Sequence, residues 1–340
     1  MTATLQSSTG AAHSRLLGIG GYRPERVVTN EEICTRIDST DEWIRTRSGI
    51  GERRWAGPHE TIQMMAVSAA RKAIDRAGID PAQIDCVIIS TVTHLHQTPA
   101  IATRIAAELG ATGAAAFDIS AACAGFCYAT ALADSMIRTG TATTVLAVGV
   151  ERLSQITDTS DRSTAFLFAD GAGAAVIGPS DTPGIGPVVW GSDGDKADLI
   201  TQSAGWDELA RRDDADGVAG VSWPTLQMDG RSVFKWASYT VAEVARTAIE
   251  RAGITPADLD VFVPHQANLR IIEAMARTLE LGDHVVIARD IERQGNTSAA
   301  SIPLALEALA EQGATRPGQL ALMIGFGAGL VHAGQVVVLP

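Results

Sequence analysis

A chain of 340 residues with 46% hydrophobic and 19% charged side chains is long enough for two core-forming units and too apolar to stay disordered. Its formal net charge of −12 excludes the cationic surface that nonspecific nucleic-acid binding needs, while leaving room for a local basic patch. Four cysteines at irregular spacing (Cys34, Cys86, Cys123, Cys127) make no disulfide framework, and no apolar run reaches the ~20 residues that span a bilayer. A cytoplasmic protein is expected.

The first 13 residues are polar, rich in Ser and Thr and without a basic start, which predicts a short disordered tail and no secretory signal. Helical periodicity over 60–77 ends at Gly78, where a left-handed cap needs no Cβ, and Pro81 and the apolar run Cys86-Val-Ile-Ile follow. The segment Ala73 to Asp85 returns almost unchanged as Ala248 to Asp260, at an offset of 248 − 73 = 175. Ser120-Ala-Ala-Cys123 likewise resembles Ser298-Ala-Ala-Ser301, at an offset of 178. Two echoes in one order point to a duplicated architecture, with halves at 14–183 and 184–340.

Helical patterns near 60–77, 99–109, 230–252, 268–280 and 300–312 alternate with β-branched runs at 87–92, 115–119, 174–177, 285–288 and 335–339. This alternation predicts α/β halves with mainly parallel, buried sheets. From 191 to 224 the pattern lapses into Gly, Asp, Ala and scattered Trp, which reads as a long irregular insertion.

Four segments carry possible chemistry. In Phe117-Asp-Ile-Ser-Ala-Ala-Cys-Ala-Gly-Phe126 a strand meets a helix of small residues, placing Cys123 near a helix N-terminus that favours a thiolate. A buried structural cysteine is the commoner fate of that residue type, and Cys127, one turn on, reads as core. His265, in Val263-Pro-His-Gln-Ala-Asn-Leu-Arg270, falls at the carboxyl end of a strand, where α/β proteins gather functional groups. Asn296, in Gln294-Gly-Asn-Thr-Ser-Ala-Ala-Ser301, suits either an N-cap or a hydrogen-bond donor. Gly325-Phe-Gly-Ala-Gly-Leu330 is either a tight turn or a bare backbone N–H aimed at an oxyanion. Dinucleotide and P-loop motifs are absent, since Gly18-Ile-Gly-Gly-Tyr-Arg-Pro24 lacks the spacing and Pro24 falls where a helix should run.

Together, Ala121-Ala-Cys-Ala-Gly-Phe126, Pro264-His-Gln-Ala-Asn-Leu-Arg270 and Gly295-Asn-Thr-Ser-Ala-Ala-Ser301 resemble the ketosynthase III branch of the thiolase superfamily, from about Ser14 to Pro340. The Cys-His-Asn set separates this branch from chain-elongating ketosynthases, thiolases and HMG-CoA synthases. The resemblance implies a five-layered αβαβα thiolase fold, a homodimer, and a two-stage condensation without metal or redox cofactor. Cys123 would accept a short acyl group from acyl-CoA, with the N–H groups of Cys123 and Ala328 as oxyanion hole. His265 and Asn296 would then stabilise the enolate from malonyl-acyl carrier protein, giving a 3-oxoacyl product that initiates fatty acid synthesis. A starter-unit ketosynthase or acyltransferase of polyketide metabolism is the alternative within the superfamily.

The same resemblance assigns Trp43, Arg47 and Arg162 to the CoA nucleotide and Lys235, Arg270 and Arg277 to the acidic carrier protein. It places Gln97 or Thr98, with Phe326, at the primer-pocket gate. Where acetyl-specific members close the primer pocket with a Phe from the partner subunit, this chain has Gln97 or Thr98, which leaves room for longer or branched primers. The family's triple-Gly turn reads Gly327-Ala-Gly329, which suits an oxyanion donor provided Ala328 keeps a negative φ.

Overall fold

The computed structural model describes residues 5–210 and 223–340. The first half contains β1 (His13–Tyr22), β2 (Val27–Thr29), α1 (Asn30–Cys34), α2 (Asp41–Ser48), β3 (Glu52–Arg54), α3 (Ile62–Ala77), β4 (Cys86–Ser90), α4 (Ile101–Leu109), β5 (Ala115–Ile119), α5 (Gly125–Thr139), β6 (Val145–Arg152) and β7 (Asp170–Ser180). The second adds β8 (Val189–Ser192), β9 (Ile200–Gln202), α6 (Trp206–Ala210), β10 (Leu226–Met228), α7 (Gly230–Trp236), α8 (Ala242–Arg251), β11 (Val261–Pro264), α9 (Leu269–Thr278), β12 (Val286–Ile287), α10 (Ile291–Gln294), α11 (Ser301–Glu311), β13 (Leu320–Gly327) and β14 (Val331–Val338).

Local sequence explains the elements. In α3, Ile62, Met65, Ala66, Ala69, Ala70, Ala73 and Ile74 form one buried stripe, Thr61 caps the start by accepting from the Met64 N–H, and Gly78 (φ 66°) ends it. Strand β4 is buried on both faces, so Cys86 to Ile89 read as a continuous apolar run. Its alternation assigns Val87 and Ile89 to one core, against α3 and α4, and Cys86 and Ile88 to another, against α5 and α11.

The two five-stranded sheets have the same order, β5-β4-β6-β7-β1 and β12-β11-β13-β14-β8. Helices α3 and α4 cover the first sheet, α5 and α11 lie between the sheets, and α8 and α9 cover the second. These five layers are the αβαβα thiolase fold. No helix among the described residues is long and apolar enough to cross a membrane.

The sheets are mixed, contrary to the mainly parallel arrangement expected. In each, two pairings are parallel (β4 with β5 and β6; β11 with β12 and β13) and two antiparallel (β7 with β6 and β1; β14 with β13 and β8). The three residues between β13 and β14 are too few for a parallel crossover, so the chain must turn back on itself. The expected tail at 1–13 also needs correction. His13 pairs with Ser180 in β1, and the Ala11 N–H and Ser8 hydroxyl donate to Ile137 and Thr139 carbonyls at the end of α5. The segment 191–224 is not wholly irregular either: it completes β8 and holds β9, which pairs with β10, and α6. Its residues 211–222, like the tail's 1–4, lie outside the described residues.

The structural repeat refines the second sequence echo. Strands β4 and β11 match at 261 − 86 = 175, but the turns before α5 and α11 (Ala122–Ala124 and Ser298–Ala300) match at 298 − 122 = 176. Cys123 therefore corresponds to Ala299, not to Ser301 as the shared Ser-Ala-Ala suggested. Both turns carry a left-handed non-glycine residue at the equivalent place, Ala122 (φ 44°) and Ser298 (φ 48°). Each turn lies on the central strand of the other half. A Cβ on Gly325 of β13 would stand 2.8 Å from the Ala124 Cα, and one on Gly149 of β6 would stand 2.1 Å from the Ala299 carbonyl oxygen.

Candidate active site

Cys123 sits in the 3-10 turn that leads directly into α5, which begins two residues later at Gly125 rather than at the cysteine itself. The preceding left-handed Ala122 costs of order 1–3 kcal/mol, the kind of backbone strain that collects at functional sites. Strand β13 runs directly over the nucleophile. A Cβ on Gly327 would lie 2.9 Å from the Cys123 nitrogen and 3.1 Å from its Sγ, so only a bare backbone fits.

The thiol opens onto a pocket of about 620 Å³, yet protein surrounds it closely enough that burial pushes its pKa up to about 12. The Ser298 hydroxyl acts in the opposite direction. The position before the helix was expected to favour the thiolate, whereas loss of water on burial favours the thiol. Cys127 is buried in the inter-sheet core, as its position suggested.

Cys123 and Ala328 both line this pocket, and neither backbone N–H donates to a carbonyl among the described residues; the Cys123 amide faces its own sulfur. Ala328 has no left-handed φ; that conformation falls on Gly329 (φ 133°), so the Gly-Ala-Gly turn is made without strain at the alanine.

His265 follows β11, anchored by its N–H to the Ile324 carbonyl (2.8 Å), and burial pushes its pKa down to about 3. The ring is therefore neutral. Its Nδ1 lies 2.7 Å from the hydroxyl of Ser301, which also accepts from the Gln266 N–H (3.3 Å). The Ser301 proton has no other acceptor among the described residues, so it is given to Nδ1, and Nε2 carries the ring proton as a donor.

Asn296 is fixed through its backbone, which exchanges hydrogen bonds with the Leu167 carbonyl and the Ala169 N–H. Its Oδ1 accepts from the Ser298 N–H (2.9 Å), leaving the Nδ2 protons without a partner among the described residues. The two side chains thus present N–H donors suited to an oxygen that gains negative charge.

The other expected positions separate into three groups. Arg162 lies over Trp43 at 4.6 Å, with Arg47 at 5.8 Å on the same ring, and the Arg162 Nε–H donates to the Asp38 carbonyl. A base sandwiched between Trp43 and Arg162 needs about 7 Å, two van der Waals contacts, so the exposed Arg162 must swing out to admit one. Lys235, Arg270 and Arg277 are exposed and have no carboxylate partner among the described residues. Arg270 and Arg277 lie two turns apart on α9, and Arg270 stacks on Phe234, the neighbour of Lys235 on α7.

Within its own chain Gln97 lines the pocket and the exposed Thr98 does not, whereas the expected gate residue is one that reaches the pocket of the partner subunit. Phe326 is misplaced as a gate residue. It is buried in the second half's core, its ring edge-on to His265 at 5.2 Å and near Trp236 at 6.1 Å, because inward-facing β13 residues pack on the α7 to α9 layer. It braces the imidazole from behind instead.

Three residues of the site were not singled out from sequence. Ser301 orients His265, Ser298 joins Asn296 to Cys123, and Glu151 of β6 is a wholly buried carboxylate hydrogen-bonded to Ser298. The available signal for Glu151 was an acid ending an otherwise apolar strand, Val145-Leu-Ala-Val-Gly-Val-Glu151.

Comparison with known proteins identifies the family. Residues 117–194 match the family model for 3-oxoacyl-[acyl-carrier-protein] synthase III, and residues 249–339 match the model for its C-terminal part. The chain is 57% identical to β-ketoacyl-[acyl-carrier-protein] synthase III 1 of Streptomyces coelicolor and 55% identical to the synthase III of Streptomyces glaucescens, covering 99% of both chains in each case. Among solved structures, the priming β-ketosynthase of the R1128 polyketide pathway superimposes with a TM-score of 0.96 at 51% identity, covering 99% of each chain. The synthase III of Aquifex aeolicus gives 0.86 at 39% identity, over 96% of this chain and 99% of that one. The chain is an acyltransferase and belongs to the 3-oxoacyl-[acyl-carrier-protein] synthase III family.

Proposed function

We propose that the protein condenses a short-chain acyl-CoA primer with malonyl-acyl carrier protein, through an acyl group carried on Cys123. The observation that carries this reading is a set of N–H donors that find no acceptor among the described residues beyond Cys123's own sulfur. The Cys123 and Ala328 amides belong to residues lining the thiol's pocket, the Asn296 side chain is tied through its Oδ1 to Ser298 of the same lining, and the His265 Nε2–H completes the set. In the first stage the thiol sulfur attacks the primer carbonyl, the two amides hold the oxyanion, and CoA leaves. In the second, malonyl-acyl carrier protein loses CO₂, His265 and Asn296 hold the enolate oxygen, and its carbon attacks the acyl-Cys123 carbonyl. The steps balance without a metal or redox cofactor. Trp43, Arg47 and Arg162 would hold the CoA nucleotide, and Lys235, Arg270 and Arg277 would steer the acidic carrier protein. A homodimer fits the sheet edge at β5, which has one neighbouring strand and a partly exposed Phe117.

Initiation of fatty acid synthesis is the leading role. A priming role in polyketide assembly is favoured by the likeness to the R1128 ketosynthase and by a pocket of about 620 Å³, with Gln97 or Thr98 at the position where acetyl-specific members carry the gating Phe. Incubation with acetyl-, isobutyryl- and longer acyl-CoAs, read by intact mass, should give one acyl adduct on the wild type and none on Cys123→Ala. An unlabelled wild type with every primer would sink the mechanism. His265→Ala should still be acylated but lose malonyl decarboxylation by 100-fold or more, on the order of one preorganised oxyanion donor. The primer acylated fastest separates the two roles.

A further inference from the structure

The first stage leaves one proton without a destination. Cys123 enters as a thiol with its pKa near 12, and His265, with Nε2 protonated and Nδ1 bonded to Ser301, has no free lone pair with which to take that proton. The acceptor has to be found elsewhere around the sulfur.

Glu151 is fully buried and meets no cationic partner among the described residues. Its Oε2 accepts from the hydroxyls of Thr93 (2.7 Å) and Thr91 (3.2 Å) and from the Val92 N–H (3.1 Å). Its Oε1 accepts from the Ser298 hydroxyl (3.2 Å), and Ser298 and Cys123 line the same pocket. On the elements packed around it, the turn after β4 and the turn before α11 bring only hydroxyls and amides, and Cys123 is the titratable group whose charge couples to it. The neighbouring Arg152 guanidinium is directed instead to the Ala56 and Gly57 carbonyls. The structural repeat makes the placement pointed. Gly327, which clears space over Cys123, has Glu151 as its counterpart in the first half (327 − 151 = 176). Where one half presents bare backbone to the nucleophile, the other presents a carboxylate.

We propose that Glu151, acting through the Ser298 hydroxyl, holds the Cys123 proton during the acyl-enzyme stage. As the sulfur–carbon bond to the primer forms, the thiol proton moves to the Ser298 oxygen and the Ser298 hydroxyl proton moves to Glu151. CoA departs as its thiolate and takes a proton from water. After the enolate attacks, the Cys123–acyl bond breaks and the proton returns from Glu151 through Ser298 to the thiolate, so the cycle consumes one solvent proton. Burial raises the Glu151 pKa to about 7, which suits a group that must both take and return a proton near neutrality. The inference rests on the acyl-Cys123 reading above.

The test is the rate of Cys123 acylation by acetyl-CoA, read by rapid quench and intact mass between pH 5.5 and 9.5, for the wild type, Glu151→Gln, Glu151→Asp and Ser298→Ala. The wild-type rate should climb along a limb centred near pH 7. Glu151→Gln and Ser298→Ala should lose that limb and acylate about 100-fold more slowly at neutral pH, a general-base contribution. Glu151→Asp should keep the limb. A limb that persists in Glu151→Gln, or one lost there but intact in Ser298→Ala, overturns the relay. Should Glu151→Gln fail to fold, Ser298→Ala decides alone, since Thr91, Thr93 and Val92 still hold the carboxylate. A wild type that forms no adduct at any pH would overturn the acyl-enzyme reading itself, an outcome distinct from a missing limb.

Discussion

A carboxylate buried as completely as Glu151 works against the stability of its own protein when it ionises. Its pKa rises from 4.5 to about 7 in the native state, so between those values the folded chain binds a proton that the unfolded chain has released. Stability contributed by the protonated form is complete below pH 4.5 and is lost as pH rises through 7. The full swing is about 3–4 kcal/mol, taking roughly 1.4 kcal/mol per pKa unit. Glu151→Gln removes this dependence, so its melting temperature relative to wild type should be higher at pH 8 than at pH 5. A difference that does not change between the two would show that Glu151 keeps an ordinary pKa. The residue was not legible beforehand because a lone acid in an apolar strand has no spacing to mark it. Cys123, His265 and Asn296 were legible because each lies in a run of neighbours that resembles a known set. Phe326 lay in such a run too, but motif identity does not say whether a side chain faces a pocket or the core behind it.

At the scale of elements, the contacts between the two halves depend on missing side chains. Gly149 and Gly325 let β6 and β13 pass within van der Waals reach of the opposite turn. Gly149→Ala would push a methyl group to 2.1 Å from the Ala299 carbonyl, which nothing flexible can relieve. We expect a loss of about 1–3 kcal/mol, the usual range for overpacking, seen as a lower denaturation midpoint with an unchanged m-value. The same close packing explains which strands escaped the sequence reading. Strand β1 carries Gly18 and Gly20 because a Cβ at either would strike the backbone of α3 at 2.3 Å. A strand that needs glycine there loses the β-branched pattern by which strands are recognised. Strand β8, with Trp190 and Gly191, was hidden for a similar reason within a Gly-rich stretch. By contrast α3, α9 and α11 were placed to within two residues, since their apolar stripes have the helical period.

For the whole molecule, duplication was legible at the helix ends, where Gly78 and Gly253 stop matching helices, and less so at the turns, where a shared Ser-Ala-Ala misaligned the copies by two residues. Ties between the halves are not confined to the turns. Glu307 of α11, fully buried, accepts from the Gly21 N–H at 2.7 Å and pairs with Arg23, both from the first half. The reciprocal seating of each turn on the other half's central strand has a further consequence. The nucleophile and its turn come from one half, while Gly327, Ala328, His265 and Asn296 come from the other, so acyl transfer is a report on assembly. Fragments 1–183 and 184–340, parted at the exposed residues 181–183, should each fail to take an acyl group and should regain labelling at Cys123 when refolded together. Labelling of the first fragment alone would show that the thiol needs nothing from across the seam. Such complementation would turn the enzyme's own chemistry into a covalent tag for the meeting of its halves.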